Sequence, residues 1–274
     1  MAETAATDPL PGVELFELTM LGGGVERRYR RLRPEVEALP WGTLHPGAFP
    51  EALVLAARQS WTEAAFQEHR TGAACAATLQ ALICARAPLD LIATATRFPL
   101  DELTHVEMCA RLAGELGGGT PIGHDPSTLV PAPKPGRALA QAADMVVRFF
   151  CVGEAISIPL LRGTWHAATH PLVKGVLGRI VKDEAAHGAF GWQFLDWALP
   201  ELTEPERAAL AASAAETIAL LRRSWERIPL RVGAHEADIH ALGWMNTPAY
   251  LQLARASLVT HVLKPLAERG LHVA

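Results

Sequence analysis

The chain has only four cysteines in 274 residues, Cys75, Cys84, Cys109 and Cys151, and no two of them form a Cys-x-x-Cys pair. That spacing argues against a disulfide framework and for reduced thiols, as expected of a cytoplasmic protein. Cationic excess is missing too: 25 Lys and Arg stand against 29 Asp and Glu, a formal net charge of −4. Nucleic-acid recognition draws on clustered Lys and Arg, so no nucleic-acid partner is expected. No apolar run approaches the roughly 20 residues of a membrane span, so no membrane partner is expected either. Met1 to Gly12 is acidic and rich in Ala, Thr and Pro. It lacks the basic stretch and apolar core of a secretory signal. There is no glycine fingerprint for NAD or flavin.

Half of the residues are apolar, enough for one domain of generous size. Residues 1–50 alternate Pro, Gly and short apolar groups. They predict a mostly non-helical arm with a short hairpin around Gly22-Gly23-Gly24, anchored by Trp41 and Phe49. The run Arg27, Arg28, Arg30, Arg31 and Arg33 reads as a solvated surface segment. From Pro50-Glu51, a suitable helix first turn, good helix formers run to about Ala87. A second helix is expected from Leu89 to Leu116, with a kink or a local break at Pro99 just before Glu102, and ended by Gly117-Gly118-Gly119. Pro121, Pro126, Pro131 and Pro133 mark a crossover loop over residues 120–134. A third helix follows over 136–168, interrupted by Pro159, and a fourth over 172–199. An Ala-rich fifth spans 204–227, with an apolar face suited to a homodimer. A loop over 229–246 precedes a last helix that ends near Gly270. The prediction is an all-α protein: an arm over 1–50 packed on a helical domain over 51–274, whose core lies within 51–200 and whose additional helices span 204–270.

Two stretches repeat one pattern, Asp101-Glu102-Leu103-Thr104-His105 and Asp183-Glu184-Ala185-Ala186-His187. Residues three apart share a helix face, so Glu102 points with His105 and Glu184 with His187. A single Glu-x-x-His is weak and is often a surface pair. Two copies on separate predicted helices are a stronger signal, because each makes half of a metal site. Glu154 is the only carboxylate between Asp144 and Asp183. It sits among Phe149, Phe150, Val152 and Ile156, where an unpartnered carboxylate is costly. The first helix offers Glu63 and Glu68. Glu68 has Ala64, Ala65 and Cys75 on its face, and its spacing to Glu102 is the closer match to that between Glu154 and Glu184.

A metal-bound imidazole commonly gives its other N–H to a carboxylate. Asp101 is therefore expected to hold His187, and Asp183 to hold His105; the alternative is two surface acids. Trp61, Cys75, Cys109, Phe150, Cys151, Phe190 and Phe194 are candidates to line an apolar pocket, or, for the cysteines, simply small core residues. Oxygen and imidazole donors suit iron or manganese, and zinc could occupy the same set without redox chemistry.

Two helix pairs joined by a long crossover, with a lone Glu on each of two helices and Glu-x-x-His on each of the others, resemble the ferritin-like diiron-carboxylate superfamily. The resemblance covers about residues 50–200 and rests on Glu68, Glu102, His105, Glu154, Glu184 and His187. The doubled Asp-Glu-x-x-His is similar to that of bacterial multicomponent monooxygenases and related diiron oxygenases. It implies a four-helix bundle with the crossover between its second and third helices. It also implies two iron ions, or manganese or a mixed pair, with O2 as co-substrate. The activity implied is oxidation of a small, partly apolar organic molecule, with electrons from an external donor or the substrate. Two other readings stand beside it: a ferroxidase or peroxide-consuming protein without organic substrate, and a non-redox metal-binding bundle. Some branches fit poorly. The radical tyrosine of a ribonucleotide reductase small subunit would fall at Cys109, and the extra histidine of arylamine N-oxygenases at Ile180. Storage ferritins lack the second Glu-x-x-His, and no Cys-rich module of the rubrerythrin kind is present.

Overall fold

The computed structural model describes residues 12–130, 132–233 and 235–273. The expectation of no signal within residues 1–11, and Pro131 of the crossover, lie outside them. The described residues are all-α, 73% helix against 2% strand, and none of their helices is long and apolar enough to cross a membrane.

The arm differs from expectation. Gly22-Gly23-Gly24 makes no hairpin. Gly22 and Gly23 adopt left-handed φ values of 80° and 59° and lead straight into helix α1, Gly23–Arg31, which is followed by a short α2, Pro34–Glu37. The helical turn aligns Tyr29, Arg30 and Arg33 toward the rest of the molecule, and each finds a partner there. The Arg33 side chain is buried; it pairs with Glu107 and with Glu37 at 3.0 Å, and stacks 4.2 Å from the Tyr29 ring. Arg30 pairs with Glu26 at 2.7 Å and Glu37 at 2.6 Å. So two of the five arginines expected in solvent are docking residues. The strand pairing is long-range instead: β1, Glu14–Leu15, runs antiparallel to β2, Gly123–His124, in the crossover. Trp41 and Phe49 pack on the core as anticipated, with the Arg111 guanidinium 3.8 Å over the Trp41 ring.

Helix α3 spans Glu51–Cys84. The expected second helix is broken into α4, Leu89–Ala95, and α5, Phe98–Glu115. Pro99 falls in the first turn of α5, where a missing N–H has no partner to lose. The third helix runs as α6, Ala138–Val146, a π-helical segment, Val147–Glu154, and α7, Ala155–Ala167. Pro159 lies inside α7 and does not interrupt it. A proline ring crowds the carbonyl four residues back; that residue, Ala155, is the first after the π segment, so the winding changes just ahead of the ring. Helix α8 is Pro171–Ala198, and α9 is Glu204–Trp225, started by a Thr203/Glu206 capping box. The stretch expected as a loop contains α10, Glu236–Ala241. The chain closes with α11, Thr247–Ser257, a second π segment, Leu258–Leu263, and α12, Lys264–Glu268.

Helix α3 lies along α5, while α7 and the first π segment lie along α8. Helix α9 turns Leu210, Ala214 and Ile218 inward and packs on the π segment and α6, so this apolar face is spent within the chain. The core has two clusters, one around Phe98, Phe150, Phe190 and Phe194, the other around Trp61, Leu112, Leu172 and Ile180. Helix α8 approaches the π segment closely at Gly191, where a Cβ would meet Phe150 Cβ at 2.8 Å and the Cys151 backbone nitrogen at 3.1 Å. Gly191→Ala should therefore lower stability by about 1–3 kcal/mol through overpacking, against the ~1 kcal/mol that alanine adds in an open helix. Denaturant unfolding measures it, and a gain in stability would show that the π segment yields.

Candidate metal centre

Helices α5 and α8 bring the two repeated motifs face to face. His105 Nε2 lies 3.2 Å from Asp183 Oδ2, and His187 Nε2 lies 3.7 Å from Asp101 Oδ2. Numbers rising on one helix fall on the other across these contacts, so the helices run antiparallel. Asp183 makes the expected contact with His105 at hydrogen-bond distance, whereas Asp101 only stands beside His187, whose Nε2 is buried without a hydrogen-bond partner, as is Asp101 Oδ2. With Nε2 turned to an aspartate, each imidazole aims Nδ1 inward. His105 Nδ1 is 3.3 Å from Glu184, 3.7 Å from Glu102 and 3.8 Å from Glu68. His187 Nδ1 is 3.0 Å from Glu184 and 3.2 Å from Glu102.

All six sequence candidates converge. Glu68, Glu102, His105 and Glu184 form one group, and Glu102, Glu154, Glu184 and His187 a second, with the donor atoms of each within 4.8 Å of one another. Glu102 and Glu184 belong to both. The choice on α3 is resolved by Glu63, which is exposed and accepts a hydrogen bond from Gln59 at 2.9 Å. Glu154 arrives at the end of the π segment, and Ser157 Oγ donates to its Oε2 at 3.0 Å. On α3, Gly72 permits the close approach to α5; a Cβ there would sit 3.3 Å from Glu102 Cβ.

Two arginines escaped the sequence reading. Arg97 reaches Asp101 at 3.0 Å and Asp183 at 3.4 Å, and Arg179 reaches Asp183 at 3.1 Å and Glu35 of α2 at 3.0 Å. Each stands four residues before its own aspartate, so the repeated pattern is really Arg-x-x-x-Asp-Glu-x-x-His. The i, i+4 spacing was the available signal.

The electrostatics are those of a crowded acidic pocket. Burial disfavours charge on Glu102 and Glu184, but the adjacent imidazoles of His105 and His187 outweigh it and hold both pKa values below the ordinary carboxylate range. Burial, reinforced by the charges of Glu184 and Glu102, pushes Glu154 well up, and burial pushes Glu68 up to about 8. Burial alone would depress both histidines. The hydrogen bond to Asp183 and the nearby glutamate carboxylates hold His105 well above its usual value, and the neighbouring carboxylates of Asp101, Glu102 and Glu184 raise His187 to about 12.

Whether these residues fit a metal can be asked of their unused atoms. Both Oε atoms of Glu102, Oε2 of Glu184 and Nδ1 of His105 and His187 are buried without a hydrogen-bond partner. Orphaned donors and acceptors of this kind are costly, and here they all point at one another. Cations between them would satisfy every one, and the set is carboxylate and imidazole.

A cavity of about 640 Å³ opens on Glu68, Glu154 and Glu184 from between α3 and α7, roofed by Leu221, Trp225 and Tyr250. None of Trp61, Cys75, Cys109, Phe150, Cys151, Phe190 or Phe194 lines it. They are core residues in the layers to either side of the site; Phe98 and Phe150, for instance, pack against the His187 ring, at 4.2 and 6.5 Å. Burial raises the thiols of Cys75, Cys109 and Cys151 and keeps them neutral, as befits small core residues. The true wall draws on α9 and α11, which no local pattern near the motifs announces. In comparisons with protein-family models, curated proteins and solved structures, the chain matches none of them.

Proposed function

We propose that the chain is a non-haem dinuclear iron protein of the ferritin-like kind that uses O2 to oxidise a small, partly apolar organic molecule. The observation that carries this reading is the convergence of five buried, unpartnered ligand atoms from α5 and α8, flanked by Glu68 and Glu154. In it, α3, α4 with α5, α6 with α7, and α8 are the four bundle helices, and the stretch around β2 is the long crossover. Glu68, Glu102, His105 and Glu184 would hold one ion, and Glu102, Glu154, Glu184 and His187 the other. Two iron ions there would supply reducing equivalents for O2, to be renewed by an external donor or by the substrate; manganese would fit the same donors.

The chain's own contributions are separable. Asp101 and Asp183 fix the tautomer of the two histidines. Arg97 and Arg179 balance those aspartates, so the braces do not add to the negative charge at the centre. The phenylalanine cluster excludes water from the His187 side, and the cavity admits ligand on the Glu68 and Glu154 side. An apolar wall favours an organic molecule over hydrated iron as the substrate, which speaks for oxidation over a ferroxidase role.

Iron content and electronic absorption test this. Anaerobic loading with Fe(II) should give about two irons per chain, and admission of O2 should change the visible spectrum. Zinc binding with no iron uptake, or iron indifferent to O2, would overturn the proposal.

A further inference from the structure

Five hydroxyl side chains line the cavity beside the carboxylates: Thr71, Ser157, Thr164, Ser224 and Tyr250. Four are already committed. Thr71 donates to the Gln67 carbonyl at 3.1 Å, Thr164 to Leu160 at 2.9 Å and Ser224 to Leu221 at 2.7 Å, while Ser157 donates to Glu154. The Tyr250 hydroxyl makes no hydrogen bond among the described residues and is not one of the buried unpartnered atoms, so it is open to a ligand or to water. Among the described residues no Lys, Arg or His lines this cavity. Arg231 lines an adjoining cavity of about 220 Å³ that has Thr164, Ile228 and Tyr250 in common with it; there Arg231 lies 4.1 Å from the Trp244 ring. Leu160, Leu161, Ile156, Leu221 and Trp225 supply the remaining surface. At about 640 Å³ the space falls within the roughly 300–1,000 Å³ of ligand pockets.

We infer that the cavity takes an uncharged, mainly apolar molecule bearing one hydrogen-bond acceptor, such as a ketone, ether or alcohol oxygen, and that Tyr250 is the specificity-determining residue which donates to that acceptor. Anions are disfavoured, because the wall beyond the carboxylates is apolar and, among the described residues, offers no Lys or Arg to pair with one. Molecules without an acceptor displace water from the Tyr250 hydroxyl and return no hydrogen bond in its place, so they bind less tightly. This inference rests on the oxidation reading for what becomes of the ligand, but binding itself does not require the metal.

Three fluorescent probes separate the outcomes: 6-propionyl-2-(dimethylamino)naphthalene, which is neutral with one ketone; 2-(dimethylamino)naphthalene, which lacks the ketone; and the anionic 8-anilinonaphthalene-1-sulfonate. Each is titrated into the full chain with iron and with chelator, and iron content is measured on the same samples. The ketone probe should bind about tenfold more tightly than its ketone-free analogue, the worth of one buried hydrogen bond, and the sulfonate weakest. Tyr250→Phe should erase that tenfold preference while leaving the ketone-free probe unchanged, which a merely structural role would not do. Ser224→Trp, at an exposed position on the mouth, should weaken both neutral probes. An unaltered preference in Tyr250→Phe, tightest binding of the sulfonate, or no binding by a chain that loads iron would overturn the inference. Probe binding by a chain that takes no iron would instead overturn the metal reading and leave this one standing.

Discussion

Replacing Glu102 with alanine should abolish binding of both metal ions, whereas replacing Glu68 or His105 should leave about one per chain. The asymmetry follows from the donor groups: Glu102 and Glu184 belong to both, while Glu68 with His105, and Glu154 with His187, each serve one. Removing a shared carboxylate takes a ligand from each ion and leaves two imidazole nitrogens facing a void. Removing Glu68 leaves the second group whole. The measurement is metal per chain after loading with Fe(II) or Mn(II), with circular dichroism to confirm that each variant remains helical. Equal losses in Glu102→Ala and Glu68→Ala would mean that the groups are not two sites.

Stability of the chelator-treated protein should fall as pH rises from 6 to 8, and the metal-loaded protein should not follow it. The sign comes from who holds protons. Glu68, raised to about 8 by burial, and Glu154, raised by burial and its acidic neighbours, stay protonated in the folded chain after the unfolded chain has released its protons near 4.5. Burial lowers His105 and His187, but their carboxylate partners prevail; both keep a proton that the unfolded chain gives up near 6.5, His187 until about 12. When the folded state binds the extra protons, stability declines with pH, by about 1.4 kcal/mol per pH unit for each such proton. Glu102 and Glu184 work the other way. Their contribution is present above about 4.5 and is lost only as acid reaches their depressed folded values, so it is constant across this window. Metal ions require the same groups deprotonated, so affinity should climb about tenfold per pH unit for each proton displaced. Unfolding midpoints at pH 6, 7 and 8, with and without chelator, decide it; a chelated protein indifferent to pH would show that these groups hold no excess protons.

Much of the centre could be read from local pattern because its parts are local. Glu102 and His105 share a face by spacing alone, as do Glu184 and His187, and Glu154 was conspicuous as a carboxylate in apolar company. Helix ends were legible where proline and glycine punctuate the chain, as at Pro50 and Pro171. What escaped was set by contacts distant in sequence. Arg33 looked like one more solvated arginine, since its partner Glu107 lies 74 residues away. The glycines before α1 suggested a turn; they start a helix that α5 holds in place. The cavity wall was placed among Cys75, Cys109 and Cys151, by helical face. It lies instead where the ends of α9 and α11 fold back over α7, a placement that depends on how far each connection reaches. Arg97 and Arg179 could have been found, since both obey the four-residue spacing that had already been applied to the other motif residues.

The crossed braces of α5 and α8 make the centre nearly its own mirror in role. Exchange the two helices, and arginine replaces arginine, aspartate replaces aspartate, and glutamate and histidine likewise change places. At the ligands themselves, the third carboxylate of each group breaks the exchange. Glu154 is tethered by the Ser157 hydroxyl, while Glu68 has no hydrogen bond among the described residues and keeps 18% side-chain exposure toward the cavity. A centre with one fastened arm and one untied arm is directional: of the two outer carboxylates facing the cavity, Glu68 is the one free to move, so an ion held beside it would be the more open to an incoming molecule.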